Sequence, residues 1–222
     1  MNKKHLKFLA CPSCNEGLNL VEETIAEDGF VESGLLRCST CDKGYPIIRS
    51  IPRFVDLDNY ARAFGFQWIK HSETQYDSYS GANLSQKRFF EETKWKNELK
   101  GEVILEVGSG SGRFTEQAAQ TGAMVVSMDY SIAVEANYAS NGKKDNVLIV
   151  QANIYDMPFK RDFFDKLLCI GVLQHTPDVK KSFYTLPLFL KSRGSLVVDV
   201  YKKYPFYIQV FLTKYWIRPI TK

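Results

Sequence analysis

No apolar run in this 222-residue chain is long enough to span a membrane. The stretch before Cys11 begins with lysines, but its apolar part, residues 6–10, is interrupted by Lys7 and is too short for the core of a secretory signal. An excess of one charge is also missing, since the formal net charge is only +4. The sequence therefore has no clear nucleic-acid-binding signature, such as a basic stripe, and it predicts a cytoplasmic protein without a transmembrane segment.

Cysteine is scarce, and four of the five cysteines form two C-x-x-C pairs, Cys11 with Cys14 and Cys38 with Cys41. In a reducing compartment, paired thiols are typical of metal ligands rather than of disulfides. Four thiolates make a closed tetrahedral site, so the pattern predicts one structural Zn²⁺. The interval between the pairs is slightly longer than usual, and a hairpin through residues 28–29 would accommodate the difference. A redox dithiol, or a site that has lost its metal, remains an alternative.

The most informative stretch of the chain is residues 103–113. An apolar run that contains Glu106 is followed by glycines at alternate positions, Gly108, Gly110 and Gly112. Such a run is typical of a fully buried parallel strand. The glycines allow a sharp turn and a close approach to a ligand, and the helical spacing that follows places a helix N-terminus beside it. The pattern favours a nucleotide site, although glycines at a strand end also serve plain tight turns.

A second apolar run, residues 123–128, ends in Asp129. This carboxylate lies about twenty residues after the first glycine, which is the spacing of an acidic residue that accepts hydrogen bonds from ribose hydroxyls. The dinucleotide pattern G-x-G-x-x-G would require glycine at position 113, where this chain has Arg113. A nicotinamide-dependent oxidoreductase is therefore the weaker interpretation.

The pattern E-x-G-x-G-x-G together with Asp129 resembles the cofactor site of the class I S-adenosylmethionine-dependent methyltransferases. The resemblance continues through residues 147–154, 157–159, 164–165 and 171–178, and it covers about residues 100 to 201. It implies an α/β fold with a doubly wound parallel sheet, and a methyltransferase that uses S-adenosylmethionine on an unidentified acceptor. The alternative is a partner or assembly module that binds the cofactor without catalysing a reaction.

The resemblance also implies the residues of the cofactor site. They are Glu106, Gly108, Ser109, Gly110, Gly112, Asp129, Tyr130, Asn153, Ile154 and Gly171. Glu106 and the glycine loop are implied for the methionine and ribose, Asp129 for the ribose hydroxyls, and residues 153–154 for the adenine. Most relatives have aspartate at position 153. Glu106 has an alternative role as a brace of the loop that does not touch the ligand.

Two further residues lie in or near the predicted site and carry reactive groups. His175 is a weak candidate for a catalytic base or an acceptor contact, because it follows the fourth predicted strand at the ligand-binding edge of the sheet. Its alternative is a capping or packing histidine. Cys169 lies inside a predicted strand and is interpreted as a small buried apolar residue rather than a nucleophile.

The amino-terminal region, residues 1–55, resembles a zinc-ribbon-like family that includes the small activator of several tRNA, rRNA and protein methyltransferases. We expect it to form a separate module with its own core. Residues 56–100 form an aromatic-rich helical linker, with helices predicted near 60–71 and 85–99 and a loop at 74–79. The linker is expected either to pack on the sheet edge or to act as a lid over the cofactor.

The third region, residues 101–222, alternates between strand and helix patterns. Strands are expected near 103–107, 124–128, 147–151, 166–170 and 195–200, and helices near 112–120, 131–140 and 177–191. Thr176 is predicted to cap the last helix with Pro177 at its first position, and Pro187 to shorten that helix. The usual carboxyl-terminal strand pair does not fit into residues 202–222. We therefore expect a fragment in which residues 204–217 form an apolar helix that promotes self-association.

Overall fold

The computed structural model describes residues 1–56 and 76–200, and it contains one antiparallel and one parallel sheet. The predicted α/β class is therefore confirmed. The helix expected near 60–71 lies outside the described residues, as do the first two positions of the loop expected at 74–79. The carboxyl-terminal helix and the predictions of a fragment and of self-association also concern residues outside this range.

The amino-terminal module begins with a 3-10 helix, Lys3–Phe8, and continues into a four-stranded antiparallel sheet. Its strands are β1 (Leu18–Ile25), β2 (Val31–Cys38), β3 (Gly44–Ile48) and β4 (Ile51–Pro52). A hairpin through residues 26–30 joins β1 to β2, and Gly29 occupies its left-handed position with φ of +79°. The predicted hairpin is confirmed.

Five strands form the parallel sheet, in the order β7-β6-β5-β8-β9. They are β5 (Val103–Val107), β6 (Met124–Asp129), β7 (Val147–Gln151), β8 (Phe164–Cys169) and β9 (Leu190–Val198). The chain winds outward from β5 to β7 and then returns beside β5 to build β8 and β9. This is the doubly wound order, and it puts a ligand-binding crevice at the carboxyl ends of the central strands.

The helices among the described residues are short. They are α1 (Asp77–Ser80), α2 (Leu84–Thr93), α3 (Arg113–Gln120), α4 (Val134–Asn141) and α5 (Val179–Thr185), with 3-10 turns at Leu173–His175 and Leu186–Phe189. The helix predicted near 85–99 ends early because Lys94 adopts the left-handed conformation, with φ of +55°. None of these helices is long and apolar enough to cross a bilayer.

The predicted start of the last helix is wrong. The cap of α5 is Asp178, whose carboxylate accepts the backbone N–H of Lys181 at 2.9 Å. Thr176 instead donates its hydroxyl to the carbonyl of Leu173 at 2.7 Å, because it ends the preceding 3-10 turn. The effect of Pro187 is confirmed, since α5 ends at Thr185 and a 3-10 turn with the proline in its first positions follows.

The parallel sheet is buried on both faces, by different parts of the chain. One face packs against α2, α3 and α4, and this cluster includes Ile104, Val125, Ile149, Phe89, Phe114 and Val134. The cluster on the other face joins sheet residues to residues of the amino-terminal module, among them Leu105, Val126, Leu148, Leu9, Leu36 and Ile47. The expectation of a separate core for the module is therefore wrong, because its apolar side chains cover a sheet face that would otherwise be exposed.

Backbone hydrogen bonds also attach the module to the parallel sheet. Arg53, directly after β4, pairs in parallel with Gln151 of β7, and the N–H of Phe54 donates to the carbonyl of Gln151 at 2.8 Å. A second bridge joins Leu9 to Phe159. The end of β4 thus lies beside the outer edge of β7, which protects that edge from pairing with other chains.

Candidate functional site

A cavity of about 390 Å³ opens at the carboxyl ends of β5, β6, β7 and β8. Its walls are the glycine loop after β5, residues 128–131 at the end of β6, residues 152–154 after β7, and residues 170–176 after β8. Arg88 of α2 and the first residues of α3, Arg113 and Phe114, complete the lining. The cavity therefore occupies the crevice in which doubly wound sheets bind their ligands.

Most of the residues predicted for the cofactor site meet in this cavity. Those that line it are Gly108, Ser109, Gly110, Asp129, Tyr130, Asn153, Ile154 and Gly171, together with the catalytic candidate His175. Glu106 and Gly112 do not belong to the lining. The residues predicted from the sequence thus come from four separate loops that meet at one cavity. Glu106 and Gly112 lie behind its surface.

The glycine loop has a conformation that side chains with a Cβ rarely adopt. The φ angles of Gly108, Gly110 and Gly112 are +81°, +54° and +98°. A Cβ on Gly108 would also overlap the side chain of Val172 on the opposite wall. These glycines therefore set the backbone close to the cavity and keep its entrance open.

Asp129 connects the glycine loop to the end of β6. One carboxylate oxygen accepts the N–H of Gly110 at 2.9 Å, and the other accepts the N–H and the hydroxyl of Ser131 at 2.8 and 2.7 Å. A carboxylate has about four acceptor positions, so capacity remains for a ligand hydroxyl. On the neighbouring wall, the side-chain oxygen of Asn153 accepts the N–H of Tyr155 at 3.0 Å. Its second lone pair and its NH₂ group leave it able to contact a ligand.

Glu106 makes the contacts of a brace, which is the alternative role that the sequence left open for it. Its side chain is 3% exposed, and one oxygen accepts the hydroxyls of Thr115 in α3 and Ser127 in β6, the latter at 2.8 Å. The amide of Asn137 donates to both of those hydroxyls at 3.0 Å. Burial raises the pKa of Glu106 to about 7. The carboxyl group therefore braces the helix and strands that carry the glycine loop.

We expect the wild-type protein to lose stability as the pH rises through 7, and the variant Glu106→Gln not to show this loss. An unfolded glutamate has a pKa of about 4.3, and burial raises the folded value to about 7. The carboxyl group therefore contributes most to folding at low pH, and this contribution is lost as the pH rises through 7. Between about pH 5 and about pH 8, the free energy of unfolding of the wild type should fall by about 2–3 kcal/mol relative to the variant, in urea titrations. A difference that does not change with pH would contradict the assignment.

Tyr76 reaches the glycine loop from the linker, and the sequence analysis did not identify it as a site residue. Its side chain is 1% exposed, its hydroxyl donates to the carbonyl of Ser111, and it accepts the amide of Asn141 at 2.9 Å. The loop predicted at 74–79 is wrong from residue 77 onward, because α1 begins there. Aromatic richness was the signal that singled out this segment, and the tyrosine holds the linker against the loop.

Arg88 adds a part of the cavity wall that the sequence did not reveal, and Asp199 holds it in place. Arg88 of α2 lines the cavity and donates to the carboxylate of Asp199, just after β9, at 3.0 Å. The second oxygen of Asp199 accepts the N–H of Gly171. Asp199 thus joins α2 to the loop after β8, and no local pattern could predict the pair because its members are 111 residues apart.

The two cysteine pairs meet at one end of the amino-terminal module. All four sulfur atoms lie within 4.8 Å of one another, and three of the separations are 3.4, 3.6 and 3.7 Å. Sulfurs at about 2.3 Å from a tetrahedral zinc ion are about 3.8 Å apart, so the donor set fits that metal. The cysteines form no disulfide, and the backbone N–H of Thr40 points to the sulfur of Cys38 at 3.5 Å. The four sulfur atoms are therefore close enough to hold one metal ion.

Comparison with known proteins agrees with this geometry. Residues 105–198 match the family model described as "Methyltransferase domain". The chain is 31% identical over 101 residues to a ubiquinone biosynthesis O-methyltransferase of Coxiella burnetii, over 44% of this chain and 43% of that protein. It is 26% identical over 108 residues to a demethylmenaquinone methyltransferase of Thermobifida fusca, over 47% and 46% respectively. The chain thus spans about half the length of the curated relatives it matches.

Solved structures with the same fold include two of particular interest. One, from Methanococcus maripaludis, is proposed to be an S-adenosyl-L-methionine-dependent methyltransferase; it is 18% identical and covers 66% of this chain and 67% of that one, with a TM-score of 0.50. The other belongs to a complex of the Haloferax volcanii Trm112 methyltransferase activator with a proposed methyltransferase; it is 15% identical and covers 63% and 61%, with a TM-score of 0.52. The parallel sheet therefore has the Rossmann-like fold of these structures, and residues 105–198 resemble a methyltransferase domain.

Proposed function

We propose that this chain binds S-adenosylmethionine in the 390 Å³ cavity and transfers its methyl group to an acceptor. The observation that carries the proposal is the meeting of the glycine loop with Asp129, whose carboxylate is fixed by three protein donors and faces the same cavity. A rigid acceptor of this kind suits the two hydroxyls of a ribose. The methyltransferase relatives give independent support.

The reaction places few chemical demands on the protein. A sulfonium carries an already activated methyl group, so the main tasks of the site are to align donor and acceptor and to exclude water. In the proposal, Asp129 holds the ribose, Asn153 and Ile154 contact the adenine, and the glycine loop lies along the methionine.

His175 lines the cavity wall after β8 and is the first residue to test for contact with the acceptor. Tyr76 and Arg88 bring the linker to the cavity and favour its role as a lid.

The cysteine cluster completes the proposal as a structural site. Four thiolates leave no position for a substrate or a water molecule, so a zinc ion there would stabilise the fold without taking part in methyl transfer. The hydroxyl of Tyr45 lies 3.4 Å from the sulfur of Cys11, where it can donate a hydrogen bond to a thiolate ligand. Such a donor stabilises the ionised form of the thiol, which is the form that binds a metal.

The proposal predicts that S-adenosylhomocysteine raises the melting temperature of the protein and that NAD does not, because a ligand of the native state stabilises it by mass action. Asp129→Ala should weaken S-adenosylhomocysteine binding by about 10- to 150-fold, since a charge-assisted acceptor contributes about 1.5–3 kcal/mol. Asp145→Ala is the matched control, because that carboxylate is 84% exposed and pairs with Lys4 far from the cavity. Equal affinity in both variants, measured by titration calorimetry, would remove Asp129 from the ribose role.

An assay of methyl transfer distinguishes an enzyme from a partner protein that binds the cofactor without catalysing a reaction. Incubation with methyl-labelled S-adenosylmethionine and demethylated ubiquinone or menaquinone precursors tests the acceptors that the names of the relatives suggest. Labelled product supports the proposed activity. Tight binding of the cofactor with no product from either class would favour the non-catalytic alternative for these acceptors.

A further inference from the structure

A buried arginine lies between the amino-terminal module and the wall of the cavity. Arg53 is 2% exposed, and its guanidinium donates to the side-chain oxygen of Gln151 at 2.8 Å, to the carbonyl of Ile48 at 3.4 Å and to the carboxylate of Glu135 in α4. A buried cation is costly unless its partners replace the lost hydration. The acceptors of its two terminal nitrogens supply part of that replacement and join β3, β7 and α4, while Nε has no acceptor among the described residues.

Gln151 lies next to two walls of the cavity, residues 128–131 and residues 152–154. It is fully buried at the carboxyl end of β7, and its side-chain NH₂ donates to the carbonyl of Tyr130 at 3.1 Å. The next residue, Ala152, donates its N–H to the carbonyl of Asp129 at 3.0 Å. The backbone oxygen of Gln151 accepts the N–H of Phe54 at 2.8 Å. Gln151 is therefore bonded to Arg53 and Phe54 on one side. On the other side, its side chain bonds to Tyr130, and the next residue, Ala152, bonds to Asp129.

Arg53 also fixes the orientation of the Gln151 amide. A guanidinium can only donate hydrogen bonds and a backbone carbonyl can only accept them. The amide must therefore point its oxygen at Arg53 and its NH₂ at the carbonyl of Tyr130. Without the guanidinium, the amide could rotate and release that carbonyl, and the turn from Asp129 to Ser131 would lose a buried support.

We propose that Arg53 is a positioning residue through which the amino-terminal module holds the Asp129–Tyr130 wall in the geometry that binds the cofactor. The inference rests on the proposed function of the cavity. It assigns to the module a role in ligand affinity beyond covering one face of the sheet. Arg53 itself does not line the cavity, so its effect passes through Gln151.

The chain provides a closely matched control for this role. Arg49 pairs with the same carboxylate, Glu135, at 3.1 Å, but its side chain is 72% exposed, whereas Arg53 is buried and also donates to Gln151. Arg53→Met should weaken S-adenosylhomocysteine binding by about tenfold, as is common for residues that support a ligand contact from behind. Arg49→Met removes the same charge beside Glu135 and should leave the dissociation constant within about twofold.

A double-mutant cycle distinguishes positioning from general destabilisation. If Arg53 acts through Gln151, then Arg53→Met and Gln151→Met should each weaken binding, and the double variant should bind about as weakly as either one. Leu36→Ala, a buried substitution within β2, supplies a destabilised protein whose affinity should stay at the wild-type level. If Arg53→Met does not fold, Gln151→Met tests the link, since it keeps the ion pair of Arg53 with Glu135 and removes the side-chain hydrogen bonds of Gln151 to Arg53 and to the carbonyl of Tyr130. Wild-type affinity in that variant would refute the positioning role.

The outcomes separate this inference from the function on which it rests. A wild-type protein that does not bind S-adenosylhomocysteine would refute the proposed function. If the wild type binds and Arg53→Met binds equally well, the proposed function stands and the positioning role is refuted. Weaker binding by Arg53→Met and Leu36→Ala in proportion to their loss of stability would also refute it, because a purely structural role predicts that result.

Discussion

If the cysteine cluster holds zinc as proposed, removal of the metal should unfold both sheets in a single transition. A structural zinc ion contributes apparent free energies of about 10–16 kcal/mol in small zinc-binding peptides. The whole stability of a domain is about 5–15 kcal/mol, so loss of the ion removes a comparable amount. The module and one face of the parallel sheet share a hydrophobic cluster. Loss of the module therefore exposes the sheet as well.

Tryptophan fluorescence can report this coupling, because all three tryptophans, at positions 68, 95 and 216, lie outside residues 1–55. The chelated protein and the variant Cys11→Ser should both show a strongly lowered transition by this probe. Ser13→Ala is the control, since its side chain lies in the same loop and accepts a hydrogen bond from exposed Lys43 without providing a thiolate. The prediction would be contradicted if chelation left the midpoint of the tryptophan transition unchanged. It would also be contradicted if elemental analysis found no zinc and the cysteines formed a disulfide.

Local patterns predicted those elements whose residues are buried on both sides. The predicted limits of β5 and β7 match the structure because a central parallel strand is a continuous apolar run. The last strand was less predictable. It begins at Leu190 rather than near 195, and its first residues, Lys191, Ser192 and Arg193, are polar and pair irregularly with β8. An edge position removes the pattern that identifies a central strand.

The candidate site divides in the same way. Residues of the glycine loop and Asp129 were found from spacing along the chain, because each follows a strand that ends at the same edge of the sheet. Tyr76, Arg88 and Asp199 were missed as site residues, since their contacts depend on how distant segments pack. The role of Glu106 was left open for a related reason: spacing places it beside the loop, but only the packing of Thr115 and Ser127 shows which way its carboxylate points.

A second large effect is expected from Gly112→Ala, at the start of α3. Gly112 has φ of +98°, and an added Cβ would lie 2.7 Å from the hydroxyl oxygen of Tyr76 and would overlap the amide of Asn137. Both neighbours belong to the buried hydrogen-bond network beneath the glycine loop. Backbone strain of about 1–3 kcal/mol and overpacking of about 1–3 kcal/mol should together lower the free energy of unfolding by about 4 kcal/mol.

Gly122→Ala separates these two contributions. Gly122 has a similar φ, +80°, but the nearest atom to an added Cβ is Cβ of Lys100 at 3.7 Å, an ordinary contact. This control should therefore show the backbone strain alone, about 1–3 kcal/mol in urea titrations, with unchanged S-adenosylhomocysteine affinity. Gly112→Ala should lose more stability and also bind the ligand at least about tenfold more weakly, because the displaced side chains support the loop that carries Gly110. Equal loss of stability in the two variants would show that the network yields to the methyl group, and it would remove Tyr76 and Asn137 as constraints on the loop.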